Sequence, residues 1–289
     1  MRCVSQTASL RARSSRRRIQ TATESGLATI SSNKIDQRFA LLREKGRKAL
    51  VCYMTAGHPD RARSLDLLRG LGDAGADVIE VGVPFSDPLA DGPVIQGSSQ
   101  TALENGMTFG GALDLIAEAS VAVPVVLFGY LNPFLAAGEG MLHRIKQAGC
   151  DGVLITDLPL GADFDLEARF ADSELDFIRL IAPTTPSNRM AEIARSGSGF
   201  VYLISRLGVT GMRADVAPEL AATIDAVRAV TPLPVCVGFG VSTPAQAATV
   251  ARMADGVVVG SAIVKAAGTS VASALQLVRE LRDGIDRAA

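Results

Sequence analysis

The stretch Asp77–Gln96 reads DVIEVGVPFSDPLADGPVIQ, and it decides the fold class. It opens with Val78, Ile79 and Val81, whose apolar side chains predict a short buried strand that carries Glu80 inside it. A buried carboxylate is costly unless it is paired, has a shifted pKa or has a function that requires it. Glu80 is therefore the first candidate for a functional residue, and a structural ion pair with Arg179 is the alternative.

A second carboxylate, Asp91, follows in the loop after this strand. Pro84, Pro88 and Pro93 stiffen the loop, so both carboxylates can lie over one end of the strand. Two acids in different environments are typical of acid–base catalysis. An Asp before Gly-Pro is also a common turn-former whose side chain bonds its own backbone, and this is the alternative for Asp91.

Strand-like apolar runs alternate with helical segments along the rest of the chain. We predict eight strands, at Ala49–Met54, Val78–Gly82, Val123–Phe128, Gly152–Thr156, Phe177–Ala182, Phe200–Ile204, Pro234–Gly238 and Gly256–Gly260. A helical segment follows each strand, in units of about 30 residues, which is typical of a barrel. The pattern predicts an α/β protein, a single (β/α)8 TIM barrel over residues 35–289 with an extra N-terminal helix. An open doubly wound sheet is the alternative, although the first strand lacks the Gly-rich turn of that fold.

Charge and composition limit the class of function. The 289 residues carry a formal net charge of −1, but residues 1–34 alone are strongly basic and the remainder is acidic. We expect residues 1–34 to be a disordered basic extension, either a transit-peptide-like leader or an upstream translated segment. An acidic body argues against nucleic-acid binding, and no apolar run approaches the roughly 18 residues that span a bilayer. We expect a cytoplasmic protein, or a plastid protein if the extension is a transit peptide.

The residues that follow the predicted strands indicate where ligands bind, because barrel sites lie at the C-terminal strand ends. Tyr130 and Asn132 follow strand three, and Asp157 follows strand four. The loop 205–211 after strand six has the length of a mobile lid, in which Thr210 is placed to bond a carboxylate such as Asp91. The side chains at or near strand ends that belong either to the core or to a substrate pocket are Tyr53, Phe128, Leu154 and Tyr202.

Strands seven and eight end in a pattern that predicts a phosphate site. Gly240 follows strand seven, and Gly260-Ser261 follows strand eight directly before a helix. Glycines let backbone N–H groups approach an anion, and the helix N-terminus and the Ser261 hydroxyl add further attraction. Barrels commonly bind phosphate at this position.

A phosphorylated small substrate and two carboxylates suggest aldol cleavage or isomerisation, and the sequence excludes two common aldolase mechanisms. None of the five lysines lies within a predicted strand, so a Schiff base is not expected. The chain has only two histidines, His58 and His143, which cannot form a His-rich metal site. General acid–base chemistry remains, in which the substrate acts as its own electron sink, as an indole ring does when it is protonated at C3.

Four motifs resemble the tryptophan synthase alpha chain family, and the likeness runs from about Ile35 to near the C-terminus. These motifs are GADVIEVGVPFSDPLADGPVIQ at 75–96, YLISRLGVTG at 202–211, VGFGVSTP at 237–244 and GSAIV at 260–264. The resemblance implies a (β/α)8 barrel that reversibly cleaves indole-3-glycerol phosphate to indole and glyceraldehyde 3-phosphate. It implies that Glu80 is the catalytic acid/base and that Asp91 lies at the indole nitrogen. It places Tyr202 in the substrate pocket and Gly211, Gly240 and Ser261 at the phosphate, while His58 departs from the Asp of many members.

The resemblance also implies a partner. Family members pair with a pyridoxal-phosphate beta chain in an α2β2 complex and pass indole through a tunnel, so we expect no cofactor in this chain. Two alternatives stay open at this point. One is a stand-alone indole-3-glycerol phosphate lyase that releases free indole, and the other is a non-catalytic alpha-like subunit that only activates its partner.

Overall fold

The computed structural model describes residues 33–205, 216–238 and 240–288. Within these ranges the strands are β1 Ala49–Thr55, β2 Val78–Gly82, β3 Val125–Gly129, β4 Gly152–Ile155, β5 Asp176–Phe177, β6 Arg179–Ile181, β7 Val201–Ile204, β8 Val235–Gly238 and β9 Gly256–Val259. The helices are α1 Lys34–Glu44, α2 Arg61–Leu71, α3 Pro93–Glu104, α4 Phe109–Ala119, α5 Leu131–Ala136, α6 Met141–Gln147, α7 Phe164–Ala171, α8 Ser187–Arg195, α9 Val216–Arg228, α10 Pro244–Ala251, α11 Ser261–Thr269 and α12 Val271–Asp286.

The strands form one parallel sheet in the order β5-β4-β3-β2-β1-β9-β8-β7-β6. β5 pairs with β4 and β6 pairs with β7, yet β5 and β6 are separated only by Ile178. The two ends of the sheet therefore lie in one short segment of chain, and the sheet returns to its own start as a barrel. This confirms the predicted (β/α)8 fold, and the doubly wound alternative is wrong.

The predicted strands match the observed ones apart from their ends. The fifth is divided at Ile178, where the chain stops pairing with one neighbour and begins pairing with the other. The third begins at Val125 rather than Val123, because Pro124 has no N–H to donate to a sheet.

Two layers of apolar side chains hold the barrel together. One lies between the sheet and the outer helices, and the other fills the barrel with alternate strand residues such as Val51, Val126 and Leu154. Helix α1 contributes Ile35 and Phe39 to the inner layer. Phe39 packs on Phe200 at the start of β7, with ring centroids 5.7 Å apart, so α1 closes the N-terminal end of the barrel.

Two predictions fall partly on residues that the structure does not describe. The basic extension, residues 1–34, lies outside the described residues up to residue 32, and α1 begins at Lys34 with Asn33 as its N-cap. The predicted lid, including Thr210 and Gly211, also lies outside the described residues. None of the helices in the described ranges is long and apolar enough to cross a lipid bilayer.

Candidate active site

Glu80 lies in the middle of β2, paired in register with Tyr53 of β1 and Val126 of β3. Its side chain is buried in the barrel, with a residue exposure of 1%. In the described part of the chain its Oε1 atom has no hydrogen-bond partner. Burial raises the pKa of Glu80 to about 8, so this carboxyl group holds a proton at neutral pH.

Arg179 is not the partner of Glu80, so the structural ion-pair alternative is wrong. Successive strand residues point to opposite faces, and Leu180 next to it packs against the inner layer. Arg179 therefore faces outward, where its guanidinium group donates a 2.9 Å hydrogen bond to Glu167 of α7. It also lies 4.0 Å from the ring centroid of Phe177.

Asp91 lies half-buried in the loop after β2, and Tyr130 holds its side chain. The Tyr130 hydroxyl donates a 3.0 Å hydrogen bond to Oδ2 of Asp91 and accepts one of 3.0 Å from the N–H of Ala90. The Tyr130 ring also packs on Phe85, with centroids 5.2 Å apart. Burial raises the pKa of Asp91, and the hydrogen bond from Tyr130 opposes that rise. The side chain is thus bonded to the next strand of the barrel rather than to its own turn, as the turn-former alternative would require.

Two tyrosines connect the two carboxylates electrostatically. The pKa of the Tyr53 hydroxyl is raised first by burial and then by the charges of Asp91 and Glu80. The pKa of Tyr202 is raised first by burial, and Glu80 and Asp91 also contribute. Both tyrosine hydroxyls therefore lie within electrostatic range of both Glu80 and Asp91.

Glycines make room for these tyrosines at the mouth of the barrel. A Cβ atom at Gly82 would lie 2.1 Å from the Tyr53 hydroxyl oxygen, and one at Gly238 would lie 2.3 Å from that of Tyr202. Any larger residue at Gly82 or Gly238 would displace a tyrosine ring. The two rings thus reach across neighbouring strand ends and line the mouth of the barrel.

A small apolar cluster borders the mouth of the barrel. Tyr53 packs edge-on against Phe128, with ring centroids 5.2 Å apart, and Ile95 and Val264 complete the cluster. Leu154 lies deeper, fully buried in the inner layer. Of the four side chains predicted as either core or pocket wall, Tyr53, Phe128 and Tyr202 therefore lie at the mouth.

Several residues of the site escaped the sequence analysis. Ile95 and Val264 lie in the first turns of α3 and α11, and only the closed barrel brings those helices beside β1. The Thr55 hydroxyl bonds that of Ser98 at 2.7 Å, which ties the end of β1 to α3. The position of Tyr130 directly after a strand indicated that it belongs to the site. Nothing in the sequence, however, paired it with Asp91.

The predicted phosphate residues lie after β8 and β9. Gly240 has φ of 89°, a conformation that favours glycine, and its backbone is exposed. Gly260 is the N-cap of α11, and because it has no side chain, no side-chain cap occupies the first N–H groups of this helix. Ser261, the first residue of α11, is exposed. The geometry leaves room for an anion at this helix N-terminus.

The residues that the structure describes include no set of side chains that could bind a metal ion. No group of three or more His, Cys, Asp or Glu side chains there is arranged to hold a metal ion. Cys52, Cys150 and Cys236 are buried free thiols. The candidate site therefore consists of two carboxylates, tyrosine hydroxyls, an apolar wall and a helix N-terminus.

Comparisons with known proteins identify the family of the chain. The family model of the tryptophan synthase alpha chain matches residues 39–286. The tryptophan synthase alpha chain of Citrifermentans bemidjiense is 50% identical over 236 residues, covering 81% of this chain and 88% of that protein. The alpha chain of Chloroflexus aggregans is 44% identical over 264 residues, covering 88% and 99%. The crystal structure of tryptophan synthase subunit alpha from Legionella pneumophila superposes with a TM-score of 0.81 at 34% identity, covering 89% of this chain and 100% of that one. The chain therefore belongs to the tryptophan synthase alpha chain family.

Proposed function

We propose that this chain cleaves indole-3-glycerol phosphate reversibly to indole and glyceraldehyde 3-phosphate, with Glu80 as the acid and base. The observation that carries the proposal is the environment of Glu80, which is buried and unpaired at Oε1, and this burial raises its pKa to about 8. A catalytic acid needs its proton at the working pH, and burial supplies that condition here.

The proposed reaction has two proton transfers at Glu80. The protonated carboxyl group donates its proton to C3 of the indole ring, which leaves positive charge on the ring and its nitrogen. The Glu80 carboxylate then accepts the proton of the glycerol hydroxyl next to the breaking carbon–carbon bond. The bond electrons return to the ring, the hydroxyl carbon becomes the aldehyde, and Glu80 regains its proton.

Asp91 is the proposed partner of the indole nitrogen. Its carboxylate would accept the ring N–H and stabilise the positive charge that appears when C3 is protonated. Tyr130 supports this role, because its hydrogen bond favours the ionised form of Asp91 and fixes Oδ2. The two carboxyl groups thus work in opposite states, one protonated and one ionised.

We assign the indole ring and the phosphate of the substrate to surfaces at the same C-terminal end of the barrel. The apolar cluster around Tyr53 and Phe128 suits the flat indole ring, and Tyr202 lines the pocket beside it. We assign the phosphate to Gly240, Gly260 and Ser261, together with Gly211. We further assign Leu154 and Thr210 to the substrate pocket, with Thr210 closing over Asp91.

The proposed partner is a tryptophan synthase beta chain in an α2β2 complex. In this scheme pyridoxal phosphate belongs to the beta chain, this chain needs no cofactor, and indole passes directly to the partner. We place the reaction in the cytoplasm, or in a plastid if residues 1–34 are a transit peptide.

An indole-release assay tests the proposal. The purified chain is incubated with indole-3-glycerol phosphate, with and without a beta chain. Activity that rises strongly with the beta chain supports the synthase subunit. High activity that the beta chain does not change supports a stand-alone lyase, and no indole under either condition supports a non-catalytic subunit.

A further inference from the structure

A cavity of about 420 Å³ lies at the N-terminal end of the barrel, opposite the strand ends that form the candidate active site. Its walls come from the loop that leads into β2, residues 72–77, and the loop that leads into β3, residues 119–123. Arginines from α1, α2 and α12 complete the lining. The cavity is within the size range of small-ligand sites, roughly 300 to 1,000 Å³.

The lining is rich in positive charge. Four guanidinium groups face two carboxylates, and the lining residues that carry charge are Arg38, Arg47, Arg69, Arg282, Asp73 and Asp77. One of the two carboxylates is already satisfied, because Asp77 accepts 2.9 Å and 3.0 Å hydrogen bonds from the Leu50 N–H and from Arg282. Asp286, outside the lining, pairs with Arg47 and Arg282. Among the described residues, Arg38 and Arg69 therefore are the lining arginines without a carboxylate within hydrogen-bond length, and their charge makes the cavity attractive to an anion.

Several guanidinium N–H groups that line the cavity donate no hydrogen bond to the described residues. Arg69 donates a 3.1 Å hydrogen bond to the carbonyl oxygen of Glu118, a neutral acceptor. Arg38 comes no closer than 3.9 Å to the Asp77 carboxylate, which is beyond hydrogen-bond length. The Nε atom of Arg282 has no partner although the residue is only 6% exposed. A guanidinium group has five N–H donors, so these three arginines keep donors for a ligand.

The backbone is shaped to hold Arg282 beside the cavity. Gly75 has φ of 114°, and a Cβ atom there would lie 2.7 Å from Cγ of Arg282. The Arg282 stem therefore crosses the loop at a residue that has no side chain. The opposite wall is largely apolar and includes Ala119, Val121 and Val123.

We propose that this cavity binds a small organic anion, with a carboxylate or phosphate head toward the arginines and a short apolar body along the wall. The planar guanidinium group of arginine can donate two parallel hydrogen bonds to the oxygens of either a carboxylate or a phosphate. The site is separate from the candidate active site, because it lies at the opposite ends of the strands. It therefore does not depend on the proposed reaction.

Calorimetric titration of the full chain tests the proposal, with inorganic phosphate and succinate as probes at constant ionic strength. Titrations use a Ser261→Asp background, which adds a negative charge at the proposed substrate phosphate site and leaves the cavity untouched. We expect one probe to bind, and the double variant R38Q/R69Q to weaken its Kd by about tenfold or more, since charge-assisted hydrogen bonds are lost. Whichever probe binds more tightly identifies the head group.

The matched control is the double variant R43Q/R61Q, which removes one charge from each of the same two helices, α1 and α2; Arg43 is exposed and does not line the cavity. Arg61 is exposed on α2 and pairs with Glu118 at 2.7 Å, but it does not line the cavity. We expect this control to keep the affinity of the background protein. Absence of binding by both probes would overturn the proposal, as would equal affinity of R38Q/R69Q and the control.

Discussion

The hydroxyl of Tyr130 donates a 3.0 Å hydrogen bond to Oδ2 of Asp91, and this bond joins the loop after β2 to the end of β3. It also favours the ionised form of Asp91 against the effect of burial. Burial alone raises the pKa of this carboxyl group, whereas the hydrogen bond stabilises the ionised form. In the proposed reaction, the neutral Tyr130 hydroxyl therefore positions the carboxylate of Asp91.

Tyr130→Phe should shift the acid side of the activity profile. The change keeps the ring on Phe85 but removes the donor, so the pKa of Asp91 rises and cleavage is lost at a higher pH than in the unchanged protein. We also expect kcat to fall by about tenfold or more, the loss typical of a hydrogen bond to a charged group. The measurement is the pH dependence of kcat and kcat/KM. An unchanged acid limb with an unchanged kcat would show that Tyr130 has only a packing role.

Glu80 should make stability depend on pH. Its pKa is about 8 in the folded chain, against about 4.3 for an unfolded glutamate. The folded state therefore binds more protons between these values, and the free energy of unfolding falls as pH rises from about 4 to 8. Glu80→Gln removes this dependence. The difference in melting temperature, variant minus unchanged chain, should therefore increase as the pH rises over that range. A constant difference across the range would mean that the pKa of Glu80 is not raised.

Ser261→Asp should act on the phosphorylated ligand alone. A carboxylate at the start of α11 repels the substrate phosphate, so KM for indole-3-glycerol phosphate should rise by about tenfold or more. KM for free indole in the reverse reaction should change little, since indole carries no phosphate. Ser270→Asp is the control, because Ser270 is the N-cap of α12 and Asp also caps helices well. Equal increases for both ligands would remove Ser261 from the phosphate site.

The N-terminal boundary gives a prediction on stability. Asn33 accepts a 2.9 Å hydrogen bond from the N–H of Ile35 and so caps α1, the helix that closes the barrel. Deleting residues 1–32 should leave the melting temperature and activity unchanged, because that segment has no apolar periodicity. Asn33→Ala in the shortened chain should cost about 1 kcal/mol. Thermal unfolding of the three proteins decides this, and a drop of several degrees on deletion alone would show that the segment contributes to the fold.

The fold and the burial of Glu80 could both be predicted from the sequence, for identifiable reasons. Eight apolar runs separated by helical segments leave few topologies besides a closed barrel, and a glutamate inside such a run stands out. The pairing of Arg179 was not predictable, because whether it faces inward depends on the register of a strand that is divided at Ile178. The partnership of Tyr130 and Asp91 joins residues 39 positions apart, and no local pattern encodes such a contact. Thr210 and Gly211 lie outside the described residues, so their roles stay predictions.

The measurement that tests the central claim most directly is indole release by Glu80→Gln. The replacement keeps the shape of the side chain and removes its ability to exchange a proton. We expect the rate of cleavage, with and without the beta chain, to fall by about 10²- to 10⁴-fold. The Kd of indole-3-glycerol phosphate, measured by titration of the same protein, should change by no more than about twofold. The contacts that bind the substrate in its ground state do not need the proton transfer. Cleavage at a rate close to that of the unchanged chain would contradict the assignment of Glu80 as the catalytic acid and base.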